Sequence, residues 1–514
     1  MKWRSRARWK PEFGSWSYVS EKPPATSSPV FLLALAVFGC ASAQKAAPAH
    51  ERLGPMLAEV IRFQTVAGNE DARKAQQQWL LKTAESLGLV ARDAGPVTEI
   101  ELPGPAGAPV LGLIVHGDVQ PVDGKQWTLP PFAGVVQGGQ VLGRGAADDK
   151  GPLVQALLAM REIRDEPRTM TVRLLIGSDE ESGSSDMKAY LAGHAPPAYS
   201  LVLDSEFPVV VGEKAWDGLA VLPSSDAQAN DKPWNVSAVD AGLAPSIVPD
   251  LAKVTLHWRE GEPKWEPLEQ RLQAKPFDEG TTLELLKRGP DLDVIVHGRA
   301  AHAGVSLASG RNALVSLAHI VSGELPDSAL ADLFSFAGNL DRRGAFFGLT
   351  DKVADGWGSY AVNVATLRTE KRMGDKLALV INLRRPPPLT APQAREWDFA
   401  HVKAFSNRLV PQEFFFGDEP LVFDPNAKIV KRLMADYAKA TGENPPLAIS
   451  GGGTYAKRVP NAIAFGMWFP GKPYPGHSAD EQISVADLRR GYDVLLFTLR
   501  DLLSQPPLQD AFKP

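Results

Sequence analysis

Val110-Leu111-Gly112-Leu113-Ile114-Val115-His116-Gly117-Asp118 begins as an apolar run and ends in a histidine and a carboxylate. A run this short and this apolar reads as a strand buried on both faces, the kind that fills the middle of a parallel sheet. His116 and Asp118 stand two residues apart at its end, on one side of the chain. Thr171 to Ile176 repeats the pattern with β-branched and apolar residues, and Ser178-Asp179-Glu180-Glu181-Ser182-Gly183 follows. Leu201 to Leu203 repeats it again and runs into Asp204-Ser205-Glu206. Glu51 to Phe63, Asp71 to Leu87 and Pro152 to Ile163 carry helical spacing. The alternation predicts an α/β catalytic domain, a mixed and mostly parallel sheet with helices on both faces. Such a sheet gathers its strand ends on one edge, and the residues that follow them gather there too.

Beyond about Glu213 the pattern changes. Lys253 to Trp258, Asp293 to His297 and Lys376 to Leu383 read as strands, and Arg311 to Val321 reads as a helix. They form an α+β unit inserted into the catalytic domain. Pro386-Pro387-Pro388 reads as a strand end and the exit from that unit. A helix from Asp424 to Thr441, a strand at Asn461 to Phe465 and an amphipathic helix from Val485 to Leu503 follow. With 514 residues, the chain exceeds one ordinary core. The expected division is a signal peptide over 1–43, catalytic domain over 44–212, inserted lid over 213–415 and catalytic domain again over 416–514.

The N-terminus reads differently. Lys2, Arg4, Arg6, Arg8 and Lys10 precede an apolar stretch from Val30 to Gly39, and Ala41-Ser42-Ala43 supplies a small-x-small cleavage pattern. This predicts export to the periplasm, with an h-region too short to span a bilayer. The charged region is unusually long, and the expectation is a true start downstream of Met1. Cys40, the only cysteine, directly follows the apolar run. Lipidation there would make the protein an outer-membrane lipoprotein, although bulky Phe38 fits that pattern imperfectly. A membrane-anchoring helix is the remaining alternative. A formal net charge of −5, with no basic run dominating the body of the chain, argues against a nucleic-acid partner.

Without a free cysteine in the mature chain, any metal must be held by histidine and carboxylates, a set that suits Zn²⁺ first and Mn²⁺ or Co²⁺ next. Asp148-Asp149, after the small residues Gly145-Ala146-Ala147, is a candidate for a carboxylate shared between two cations. In Glu180-Glu181, adjacent side chains point apart, so one can bind metal while the other acts as base. His477 lies in Gly476-His477-Ser478, and Ser450-Gly451-Gly452-Gly453-Thr454 offers successive N–H groups to a carboxylate. Each stretch alone has a plainer reading, as a tight turn, an acidic helix start or a solvated loop.

Taken in order, HGD, GRGAADDKG, SDEESGS, Asp204, GRAAHAG and GHSADE resemble the co-catalytic zinc family of aminoacylase, carboxypeptidase G and dipeptidase V, over roughly Glu51 to Leu503. Asp204-Ser205-Glu206-Phe207-Pro208 and Gly451-Gly452-Gly453-Thr454-Tyr455-Ala456-Lys457 look most like the dipeptidase V branch. The resemblance implies two Zn²⁺ ions, one on His116, Asp148 and Asp204, the other on Asp148, Glu181 and His477. It makes Glu180 the general base, Asp118 a carboxylate behind the ligands, and the Asp148–Asp149 peptide cis. From the lid, His302 would stabilise the oxyanion and Arg384 would clamp the substrate's carboxylate, beside Gly452, Gly453 and Thr454. Ser246, Arg385 and Lys457 depart from the family pattern, which more often has Asn, an aromatic and Arg. The implied activity is hydrolysis of dipeptides or short peptides. An N-acyl amino acid deacylase and a catalytically dead binding protein are the alternatives. The resemblance also leaves room for a homodimer built through the lid.

Overall fold

Strands Thr171–Gly177, Val110–His116, Tyr199–Val202 and Ala462–Ala464 lie side by side and run parallel. They come from a computed structural model that describes residues 48–276 and 278–514. The expected signal peptide, its Ala43 cleavage site and Cys40 fall outside those residues. No helix among them is long and apolar enough to cross a membrane.

The side chains of these strands alternate between two cores, as period-two geometry requires. Leu111, Leu113 and Val115 pack into the larger one, with the helices Ala49–Ile61, Lys150–Glu162, Lys428–Thr441 and Val485–Ser504. Ile114, Leu175 and Val202 point the other way, onto the short helix Ser185–Leu191 and the turn at Tyr455–Lys457. Both faces are covered, one by long helices and the other by short pieces. Parallel pairing fills the centre of this nine-stranded sheet, and Ala448–Ser450 adds one further parallel pair with Val210–Glu213. Val90–Ala94 and Val97–Leu102 extend one flank antiparallel, and Val210–Glu213 and Leu421–Val422 the other.

The register places the site. His116 lies opposite Gly177, and Ile114 lies opposite Val202. Glu180 therefore emerges three residues beyond the level of His116, and Asp204 emerges beside it. The strand Gln482–Ser484 pairs with Gln140–Leu142 and brings the loop that carries His477 against the loop that carries Asp148.

A second sheet of eight strands, antiparallel throughout, is built from residues between Ala215 and Phe415. Helices Ala313–Val321, Ala329–Asn339 and Ala391–Phe405 contribute to its core through Leu314, Leu317, Phe334, Phe336 and Val402. Pro386-Pro387-Pro388 does not take the chain out of this unit. It ends the strand Lys376–Arg385, after which Thr390 and Gln393 form a capping box for the helix Ala391–Phe405. The strand Leu409–Phe415 then pairs with Ala215–Pro223 in the same sheet. Prolines withhold a ladder N–H and so stop a strand. They say nothing about whether the chain afterwards turns back.

Candidate metal centre

His116 is buried at the C-terminal edge of the first sheet. Its Nδ1–H donates to the Asp118 carbonyl at 3.0 Å, which makes Nε2 the atom a cation would take. Nε2 faces Asp148 Oδ1 at 3.0 Å and Asp204 Oδ2 at 3.8 Å. His477 repeats the arrangement from the other side. Its Nδ1–H donates to the Ser246 carbonyl at 3.1 Å, and its Nε2 lies 3.1 Å from both Asp148 Oδ2 and Glu181 Oε2. The two oxygens of Asp148 thus face two different histidines, each in the tautomer that a metal needs. His477 is held at φ 63°, in the left-handed region that non-glycine residues seldom occupy.

The carboxylates crowd the same edge. Ligand atoms of His116, Glu180 and Asp204 lie within 4.8 Å of one another, as do those of His116, Asp148 and Glu181. Burial first, and then their acidic neighbours, push Glu180 and Asp204 well above the ordinary carboxylate range, against the pull of His116. Burial opposes protonation of His477, but Glu181 and Asp148 carry its pKa up to about 10. Four carboxylates, those of Asp148, Glu180, Glu181 and Asp204, share this edge with His116 and His477. Oxygen and imidazole donors converging in this way fit divalent cations.

Asp118 does not aim its carboxylate at a ligand side chain alone. Its two oxygens accept the N–H groups of Glu180 and Glu181 at 3.2 and 3.1 Å and so fix the loop that presents both glutamates. The Asp148–Asp149 peptide is cis. Asp149 accepts the N–H of His116 at 3.1 Å.

The second sheet closes over this edge. The ring of His302 lies 4.3 Å from that of His477, centroid to centroid. His302 Nδ1 accepts two N–H groups, from Gly304 and Val305, each at 2.9 Å. The ring therefore carries its proton on Nε2. Burial first, then the nearby charges of His477 and Arg384, hold His302 well below the usual histidine range, so it is a neutral donor. Two cavities meet at Glu180, Glu181, His302 and Gly453. One, of about 520 Å³, is walled by Arg384, Trp216 and Phe415, and the other, of about 380 Å³, by Asp204, Glu206, Gly452 and Tyr474. Burial lowers the pKa of Arg384 to about 10, and its Nε donates to Asn382 at 3.0 Å.

The profile of Peptidase family M20/M25/M40 matches residues 112–501. The chain belongs to that family. Among curated relatives, "Putative dipeptidase YtjP" of Bacillus subtilis strain 168 is 29% identical over 396 residues, covering 75% of this chain and 81% of the relative. A "Beta-Ala-Xaa dipeptidase" of Lactobacillus delbrueckii subsp. lactis is 25% identical over 405 residues, covering 74% and 80%. Of solved structures, human carnosine dipeptidase 1 aligns with a TM-score of 0.55 at 14% identity, covering 89% of this chain and 97% of that one. The Saccharomyces cerevisiae di-peptidase Dug1p aligns with a TM-score of 0.54 at 14% identity, covering 89% and 98%. At these identities the two structures speak for the fold alone.

Several residues that complete this M20 site were not singled out from sequence. Glu481 is fully buried and accepts the N–H groups of Ala147 and Asp148 at 2.9 and 3.2 Å, while Arg144 neutralises it at 2.6 Å. Asp186 holds the N–H groups of Ser178 and Asp179 and accepts the Tyr455 hydroxyl at 2.6 Å. Gln120 donates to Glu181 at 2.9 Å. Glu481 stands in the GHSADE stretch, where an acid next to another acid gave no sign of being buried. Thr454, expected at the substrate, gives both its N–H and its hydroxyl to Glu213, at 3.0 and 2.8 Å. Arg385 is buried against Asp217 at 2.6 Å, and Lys457 pairs with Asp418 at 2.7 Å. These two departures from the family pattern serve as struts within the protein.

Proposed function

We propose that this M20 peptidase is a two-metal dipeptidase, with residues 213–415 acting as a lid over the edge of the catalytic sheet. The observation that carries the reading is Asp148, whose two oxygens face the Nε2 atoms of His116 and His477 at 3.0 and 3.1 Å. His116, Asp148 and Asp204 would hold one Zn²⁺, and Asp148, Glu181 and His477 the other, with Mn²⁺ or Co²⁺ as substitutes. Bound there, two divalent cations supply Lewis acidity at the scissile carbonyl and lower the pKa of water.

The chain's own residues do the rest. Glu180, open to both cavities, takes the proton of the attacking water and returns it to the leaving amine. His302 donates its Nε2–H to the oxyanion that forms at the carbonyl. Arg384 pairs with the free carboxylate at the far end of the substrate. Asp118 and Glu481 are positioning residues, because they act through the backbone that presents the ligands. Export to the periplasm, by cleavage after Ala43 or lipidation of Cys40, belongs to the same proposal. Mass spectrometry of the mature N-terminus reads it.

The test is a substrate panel on the metal-loaded enzyme. Dipeptides are expected to turn over far faster than N-acetyl amino acids. The reverse order would make the protein a deacylase. Glu180 also lies close enough to His116 and Asp204 to share a cation with them. Metal counting on Glu180→Gln separates base from ligand: a base leaves the count intact.

A further inference from the structure

The two cavities that meet at the centre differ in charge. Across the walls of the first, Asp418 pairs with Lys457 and Arg458, and Asp179 accepts from Ser185, which leaves Arg384 and Arg372 to meet an anion. In the second, Asp148, Glu180, Glu181 and Asp204 belong to the metal cluster, and Lys472 is taken by Asp487. Glu206 remains. It lines the second cavity and is half-buried, and no hydrogen bond or ion pair from a described residue reaches its carboxylate. A half-buried carboxylate without a protein partner, facing an open cavity, is placed to pair with a cation that enters.

Position narrows what that cation is. Glu206 stands two residues beyond Asp204, in the two-residue strand Ser205–Glu206 that pairs with Met467–Trp468. Glu206 lines the cavity that Arg384 does not, and the two cavities meet at Glu180, Glu181 and His302. A peptide with its carboxylate at Arg384 and its scissile carbonyl at the centre sends its amino-side residue toward Glu206. We propose that Glu206 pairs with an ammonium group on the residue that contributes the scissile carbonyl, either its α-amino group or a basic side chain. This rests on the dipeptidase reading and adds the specificity that separates free peptides from N-acylated ones.

The experiment compares wild type, Glu206→Gln and Glu206→Asp on L-Ala-L-Ala, L-Lys-L-Ala and N-acetyl-L-Ala-L-Ala. Wild type is expected to prefer the free peptides. Glu206→Gln should raise KM for L-Lys-L-Ala, which carries both ammonium groups, by about 10- to 100-fold, the worth of one charged hydrogen bond, and shrink its preference by the same factor. Glu206→Asp keeps the charge and should recover part of it. A KM rise confined to L-Lys-L-Ala assigns the ammonium to the side chain, and a rise on both assigns it to the α-amino group. If wild type cleaves the free peptides and Glu206→Gln leaves every KM unchanged, this proposal falls alone. If wild type ignores all free peptides but cleaves N-acetyl-L-alanine, the dipeptidase reading falls and takes the proposal with it.

Discussion

The edge of the catalytic sheet and the loop of the second sheet each contribute histidine, and the two use it in opposite ways. His116 and His477 each give their Nδ1–H to a backbone carbonyl and turn Nε2 toward carboxylates, where a cation can take the place of its proton. His302 accepts two backbone N–H groups on Nδ1 and is left with a proton on Nε2. One region is arranged to bind cations and the other to donate to an anion. The difference comes from which backbone group meets Nδ1, not from residue type. It teaches that the site is divided by chemistry as well as by sheet: the catalytic edge holds the acceptors, and the second sheet brings the donors His302 and Arg384.

The division can be broken most severely at Glu180, where the acceptor side meets the substrate. Glu180→Gln is expected to lower kcat by about 10³–10⁴-fold, the upper range for a general base, while elemental analysis finds the metals retained. On the donor side, His302→Ala should lower kcat by about 10²–10³-fold, the cost of one oxyanion donor, again with metal content unchanged. A drop in metal content in that variant would erase the distinction between the two regions.

The seam between them gives a smaller effect. A Cβ built on Gly451 would stand 2.1 Å from the Gly304 carbonyl oxygen, and one on Gly304 would stand 2.5 Å from that of Gly451. The two loops meet backbone to backbone, so glycine is required on both sides. Gly451→Ala should displace His302 from the metals and lower kcat/KM by about 10- to 100-fold, with metal content and melting temperature near those of wild type. Steady-state kinetics beside a thermal melt checks it.

The smallest effect sharpens the contrast with Asp148. Asp436 is buried in the helix Lys428–Thr441, yet neither of its oxygens has a hydrogen-bond partner, and Arg432, 4.0 Å away, bonds to Asp501 instead. Burial first, then Asp501, raises its pKa to about 7. Unfolded, an aspartate ionises near pH ~3.9. Between those values the unfolded chain sheds the proton first, so this group's contribution to stability falls as pH rises from about 4 to 7 and stays low above. Asp436→Asn should raise Tm by about 1–3 °C at pH 8 and leave it unchanged at pH 4. An equal shift at both pH values would contradict the assignment.

Much of this arrangement was legible before the fold was seen. An apolar run ending in His116, and others leading to Glu180 and Asp204, place those residues together once the strands pair in parallel. The backbone's share was not legible. The carbonyls of Asp118 and Ser246 decide the histidine tautomers, and a carbonyl belongs to every residue type. Glu481 escaped notice because burial of an acid depends on a tertiary partner, Arg144, which lies 337 positions away in sequence. Pro386-Pro387-Pro388 marked a real strand end, but a local stop signal carries no information about which sheet receives the next strand.

The central claim is that Asp148 is shared by both metal sites, and metal counting by native mass spectrometry on wild type and Asp148→Asn tests it most directly. Wild type saturated with Zn²⁺ should carry about two ions per chain, and Asp148→Asn, at the same free metal, should lose both together. A variant that keeps its full pair, or a wild type that binds none, would contradict the account.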